Sequence, residues 1–234
     1  MKNKFYYLVF ALFSLALLSS CSDDDEPKSG DNVDKSAMAV DLGLPSGTLW
    51  ADRNVGADTP EDYGDYFAWG ETKGFKSGKS DFSWSTYLFC NGSKDELTKY
   101  CLSSSFGYHG FVDNKEELDM SDDAASVNWD KNWRMPSFDQ IKELLAKCLW
   151  TRTTSNGVNG YRVTGPNGNS IFLPAAGYRR AGEVCYAGSS AYYWSRSLSS
   201  LNSNDAYCLY FNSDYFSWDY NFRYSGESVR PVRR

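Results

Sequence analysis

The sequence predicts an α+β domain of short strands and hairpins around two helices. Three observations carry that expectation. Apolar mass sits in rings, with 8 Trp, 17 Tyr and 14 Phe among 234 residues, rather than in the leucine stripes of a helical bundle. Glycine and proline punctuate the chain at short intervals. Short strand-like runs crowd both ends of the domain, while helix-period spacing is confined to its middle. A hydrophobic content of 41% excludes wholesale disorder, and a formal charge of −6 argues against a nucleic-acid-binding surface. With His109 as the single histidine, a three-His metal site and a relay of two imidazoles are both excluded.

Residues 1–20 read as a secretion signal, because Lys2 and Lys4 precede an apolar run from Phe5 to Leu18 that is short of the ~20 residues needed to cross a bilayer. Leu18-Ser19-Ser20-Cys21 resembles the lipobox of bacterial lipoproteins, which makes Cys21 the lipidated mature N-terminus and places a membrane anchor there. Residues 21–36 are polar and aperiodic and read as a flexible acidic tether. Their cluster Asp23-Asp24-Asp25-Glu26 resembles the surface-export signal of Bacteroidetes lipoproteins, and implies an outer-membrane, surface-exposed location.

A single domain is expected over 37–234, since no second linker interrupts it. Val40, Leu42 and Leu44, then Leu49 and Trp50, suit two strands around Pro45-Ser46-Gly47. Residues 54–80 carry six spaced glycine or proline breaks and are expected to be irregular, pinned by Tyr63, Tyr66, Phe67 and Trp69. Asp122-Asp123-Ala124-Ala125 suits a short helix with acids at its positive end. Ser137, with Gln140 three residues on, forms a capping box before Ile141, Leu144, Leu145 and Cys148 on one helical face. Beyond Trp150 the pattern turns to strands. Tyr161 and Val163 pair with Ile171 and Leu173 around Gly165-Pro166-Asn167-Gly168, and Pro174 stops the second strand. Further strands are expected at Tyr193–Leu198, Tyr207–Phe211, Asp214–Trp218 and Ser228–Val232.

Several blocks carry a family resemblance. Val40-Asp41-Leu42-Gly43-Leu44, Tyr63-Gly64-Asp65-Tyr66-Phe67-Ala68-Trp69-Gly70-Glu71, Trp133-Arg134-Met135-Pro136, Phe172-Leu173-Pro174-Ala175-Ala176-Gly177-Tyr178-Arg179 and Ser228-Val229-Arg230-Pro231-Val232-Arg233 resemble the Fibrobacter succinogenes major paralogous domain. That family is similar to the formylglycine-generating-enzyme branch of the C-type lectin fold, so the resemblance implies a C-type-lectin-like domain.

The C-terminal part has its own signature. Lysine is absent after Lys147, while Tyr, Ser, Asn, Asp, Phe and Cys crowd residues 185–225. All of these are reachable from an Asn codon by replacing its adenines, and the segment resembles the variable region of a diversity-generating retroelement target. Such a segment presents side chains on a fixed frame. Tyr186, Tyr192, Asp205, Tyr210, Tyr215, Ser217, Asp219, Tyr220 and Phe222 are therefore expected to form one exposed ligand-binding face. Period two places Tyr207, Leu209 and Phe211 opposite Cys208 and Tyr210. Trp194, Leu209, Phe211 and Trp218 are expected to be buried frame.

These readings lead to a lipid-anchored surface protein that binds a macromolecular ligand, whether protein, glycan, phage or cell surface, and not nucleic acid. An exported enzyme related to the formylglycine-generating branch, or a tip adhesin of a surface appendage, are the alternatives. Catalysis is not expected. His109 stands in a glycine-flanked loop without a nucleophile motif, and Cys148 on a helix's apolar face suits a small hydrophobe. Cys90 and Cys101 could pair in an oxidising compartment, leaving an odd thiol. No cofactor or metal is expected. Gly165-Pro166-Asn167 lacks the leading acid of a lectin calcium loop, and Asn128-Trp129-Asp130 has the strand motif's residues out of order.

Overall fold

Two short antiparallel strands open the described chain, which covers residues 37–234 of a computed structural model. The signal at 1–20, Cys21 and the tether to residue 36 lie outside the described residues. Strand β1 (Ala39–Asp41) pairs with β2 (Leu49–Ala51), with Val40 opposite Trp50. The last strand, β11 (Val232–Arg233), pairs with the other edge of β2, so the two ends of the domain meet in one sheet.

Residues 54–80 form no regular element, as expected, and Phe67 and Trp69 are fully buried in place of a ladder. Helix α1 (Ala124–Asn128) is capped by Asp123, whose Oδ1 accepts the N–H groups of Ala125 and Ser126 at 3.0 Å. Helix α2 (Phe138–Lys147) carries the expected capping box: Ser137 Oγ accepts the Gln140 N–H at 3.2 Å, and Gln140 Oε1 accepts the Ser137 N–H at 2.8 Å. Such a cap contributes ~1 kcal/mol. Ile141 and Leu144 on the inward face are fully buried.

The strands that follow make an antiparallel meander, β3 (Leu149–Ser155), β4 (Val158–Thr164) and β5 (Ser170–Pro174). The tight Asn-Gly hairpin lies between β3 and β4, a pairing not anticipated above. Ser155 faces Val158 across Asn156 and Gly157, whose φ values of 47° and 82° are those a two-residue turn of this hand requires. The expected Asn167-Gly168 turn belongs to a longer five-residue loop between Thr164 and Ser170. A small hairpin, β6 (Tyr178–Arg180) with β7 (Glu183–Cys185), was also not anticipated.

The C-terminal sheet has the order β8 (Ala191–Leu198), β9 (Asp205–Phe211), β10 (Phe216–Phe222), with β9 in the middle. Two strand expectations are corrected here. β10 starts at Phe216 rather than Asp214, because Asn212 Oδ1 accepts the N–H groups of Asp214 (2.8 Å) and Tyr215 (3.0 Å) and holds them in the turn. The expected strand over 228–232 shrinks to Val232–Arg233, since Pro231 has no N–H to donate and Ser228 makes a single bridge to Tyr193.

The sheet separates two cores. Tyr193, Leu209 and Phe211 join α2 and β3–β5 in one. Trp194, Ala206 and Cys208 join Phe67, Trp69 and Met135 in the other. Cys208 on the side opposite Leu209 is thus as buried as the expected core set. The result is a mixed but mostly β architecture, with two α-helices and several small antiparallel sheets among the described residues. No described helix is long and apolar enough to cross a membrane.

Candidate binding face

Register decides which side chains can act together. Tyr192 on β8, Tyr210 on β9 and Ser217 on β10 are direct cross-strand neighbours, and Trp194, Cys208 and Asp219 form the next such row. Trp194 and Cys208 are buried under the second core, whereas the Tyr192 end of this side reaches solvent. There the rings run in an unbroken series. Tyr186 lies 6.1 Å from Tyr178, Tyr178 5.1 Å from Tyr192, Tyr192 4.7 Å from Tyr210, and Tyr210 5.5 Å from Tyr215. The ends of the series are the most open, with Tyr186 63% and Tyr215 53% exposed. The series is set by β6, β8, β9 and the turn before β10, so its spacing is that of the sheet.

The nine residues expected on one face therefore divide. Tyr186, Tyr192, Tyr210, Tyr215, Ser217 and Asp219 belong to the tyrosine side. Asp205, Tyr220 and Phe222 belong to the opposite side by strand parity, Asp205 facing Phe222 and Tyr220 facing Tyr207. Asp205 is also buried, at 7% exposure. Phe222 stacks on Tyr224 at 5.5 Å, which draws it toward a third aromatic cluster. Trp218, expected in the frame, is 44% exposed: its ring only edges onto Phe138 (5.2 Å) and Tyr207 (6.0 Å) beside α2. Tyr178 was missed. Its signal was the strand alternation in Gly177-Tyr178-Arg179, which places the tyrosine and the arginine on opposite sides.

Burial sets the chemistry of this face. It raises the hydroxyl pKa of Tyr192 and of Tyr178, so both stay neutral and can donate as well as accept hydrogen bonds. Beneath them Glu227 is fully buried, with Oε1 accepting from Asn221 Nδ2 at 2.9 Å and Oε2 unpartnered. Burial pushes its carboxyl well above the ordinary range, and the Asp219 charge acts in the same direction. Cys208 is likewise held as a thiol by burial.

The other cysteines offer no clustered chemistry. Cys90 and Cys101 are not bridged; their Sγ atoms donate to the carbonyls of Trp84 and Ser103, each at 3.1 Å. Burial pushes the Cys148 thiol up to about 11. His109 is exposed in a short 3-10 turn over Tyr108–Gly110. Among the described residues no group of three or more His, Cys, Asp or Glu side chains converges as a metal site would require. Asp122 is engaged by Lys99 Nζ at 2.5 Å and Tyr100 Oη at 2.6 Å.

Asp205 supplies a pH prediction. Burial pushes its carboxyl up to about 6, partly opposed by Arg223. The folded state therefore holds this proton more tightly than the unfolded chain does. The corresponding stability is present below the unfolded value and is lost as pH rises through the folded one. Between about pH 4 and 6, urea denaturation of the wild type should show stability falling, by on the order of 2 kcal/mol from this group. Glu227 acts with the same sign, so Asp205→Asn should remove part of the slope and Asp205→Asn with Glu227→Gln more of it. A slope unchanged by Asp205→Asn would contradict the assignment.

The chain matches no family model, no curated protein and no solved structure.

Proposed function

We propose that this protein is a lipid-anchored, cell-surface binding protein whose C-type-lectin-like domain holds a macromolecular ligand on its tyrosine face. The observation that carries the reading is the continuous series Tyr186, Tyr178, Tyr192, Tyr210 and Tyr215 along strands β6, β8 and β9 and the turns beside them. Tyrosine gives large contact area with few rotatable bonds and a polar tip, the combination favoured in binding surfaces. None of these rings lines the two largest clefts described, of about 550 and 690 Å³, so the face suits the surface of another macromolecule better than a small ligand. If the segment is diversified, the positions Tyr186, Tyr192, Tyr210, Tyr215, Ser217 and Asp219 would vary on the tyrosine side and exposed Tyr220 and Phe222 on the other, whereas Asp205 and Cys208 are buried.

Photo-crosslinking tests this reading. A benzophenone amino acid at Tyr210 or Tyr215, on intact cells, should trap macromolecular adducts that the same group at exposed Leu149 does not. The triple variant Tyr192→Ser, Tyr210→Ser, Tyr215→Ser in a protein labelled at Tyr186 should lose those adducts. Equal adducts at Leu149 and Tyr215 would refute a dedicated face. A reverse transcriptase gene beside an adenine-rich near-copy of the segment's code is the expected genomic context of diversification.

The anchor is tested separately. Cys21→Ala should abolish lipid labelling and release the protein from membranes, and deletion of 23–26 should keep the lipid while removing protease accessibility on intact cells. Unchanged labelling of Cys21→Ala refutes the lipoprotein reading. Unchanged accessibility reduces the acidic cluster to a spacer.

A further inference from the structure

Strand β6 sends Tyr178 to the aromatic face and Arg179 to the other side, where a cleft of about 690 Å³ lies between the 58–76 loop and the β6–β7 hairpin. Tyr63, Tyr66, Phe75, Val184 and Ala187 line it with Arg179. The guanidinium lies over Phe75, with Cζ 3.2 Å from the ring centroid, and stands 5.3 Å from that of Tyr66. Its hydrogen bonding is sparse for a half-buried cation. Nη1 reaches Gly182 O at 3.3 Å, while Nε is buried without any partner. Arg134 and Arg196 hold Asp123 and Glu117, whereas Arg179 forms no ion pair with a carboxylate of the described residues.

The surroundings supply no direct ion pair. The field of Asp65 reaches Arg179, but Asp65 Oδ1 accepts the N–H groups of Tyr66 (2.7 Å) and Lys76 (2.8 Å). At the rim, Asp62 Oδ2 accepts the N–H groups of Asp58 and Thr59, and Lys76 Nζ donates to Gly56 O at 2.8 Å. Partial burial works against the Arg179 charge, and an anion in the cleft would offset that cost. A carboxylate is planar and matches a guanidinium edge with two parallel hydrogen bonds. The rings beside it suit an apolar group, and the volume falls within the roughly 300–1,000 Å³ of small-molecule sites.

We propose that this cleft binds a small carboxylic acid with an aromatic or apolar tail, its carboxylate on Arg179 and its tail against Tyr66 and Phe75. The site is independent of the tyrosine face, and either can exist without the other.

The test titrates the full-length protein in detergent with 3-phenylpropionate and with the uncharged 3-phenylpropanamide, read by calorimetry and ligand-observed NMR. The acid should bind saturably and the amide at least about tenfold more weakly. Arg179→Gln should lose the preference for the acid. Because that change also removes a side chain packed on Phe75, Val184→Trp provides a second variant. It fills the cleft from an exposed position and should block the acid while leaving the circular dichroism and Tm unchanged. Equal binding of acid and amide, acid binding that survives Val184→Trp, or no saturable binding of the acid to the wild type would each overturn the proposal.

Discussion

Arg223→Met is expected to destabilise the domain by at least ~3 kcal/mol, a large share of the ~5–15 kcal/mol that holds a domain of ordinary stability. Arg223 is fully buried. Its Nε donates to Tyr87 Oη (2.9 Å), Nη1 to the carbonyls of Tyr100 (3.0 Å) and Ser203 (2.9 Å), and Nη2 to that of Lys99 (2.9 Å). The guanidinium also stands 5.0 Å from the Trp69 ring and 5.1 Å from that of Tyr87. One side chain thus satisfies loops that no strand ladder reaches. Methionine fills much of the volume but leaves three carbonyls without donors, each costing ~1–3 kcal/mol. Arg223→Lys should recover little, because an ammonium cannot address four acceptors spread around a planar fork. Urea denaturation at neutral pH checks this. A loss below 1 kcal/mol would mean that water or neighbouring donors replace the fork.

Trp194→Ala is expected to cost ~3–5 kcal/mol, the range for deleting a buried large aromatic side chain. Trp194 is fully buried in the second core, and its Nε1 donates to Phe67 O at 2.8 Å. Trp69 returns the arrangement, donating from Nε1 to Ser195 O at 2.8 Å, so the two indoles pin the irregular 54–80 segment to β8. Tyr215→Ala, at the open end of the face, should stay within about 0.5 kcal/mol in stability while removing a binding contact worth ~2 kcal/mol if Tyr215 is a hot spot. Trp218→Ala should fall between the two, since its ring is partly exposed. If Tyr215→Ala and Trp194→Ala destabilise alike, the face is ordinary core and not a separable surface.

What could be read from the sequence was local. The Ser137–Gln140 box, the Asp123 cap and the aromatic pins at Phe67 and Trp69 depend on neighbours a few residues away or on the residue's own size, and all were legible. Alternation gave the Tyr210 side of β9 as well. On β10 the sides also follow alternation, but residue type misleads about burial: Trp218 and Phe216 look like core yet lie on an edge strand and are partly exposed. Their partial cover comes from Phe138 and Trp150, remote in sequence. Asp205 differs for a related reason: a polar residue in a tyrosine- and serine-rich run reads as surface, but it lies on central strand β9 opposite Phe222 and is buried. Arg223 and Arg230 gave no local sign of burial. Arg230 donates to Asn54 Oδ1 (2.8 Å), Ala51 O (3.1 Å) and Phe172 O (2.9 Å), partners that only the complete fold assembles. Asn156-Gly157 and Asn167-Gly168 carry the same local turn signal, and only the pairing of β3 with β4 decides that the first closes the tight hairpin.

The meeting of the two ends of the domain in the β1–β2–β11 sheet has a mechanical consequence. If the chain is anchored at Cys21, tension between the membrane and a bound partner would enter the domain at its first strand, β1. β1 is held to β2 by three residue pairs, whereas β11 grips the far edge of β2 and is itself bridged to Arg134. Peeling β1 would therefore break no hydrogen-bonded pair of β8, β9 or β10, although Val40 and Ala39 pack on the two cores that those strands share. Under such an anchor β1 would be the first ladder to yield, and the pairing of β8, β9 and β10 would be kept while the first increment of force is absorbed.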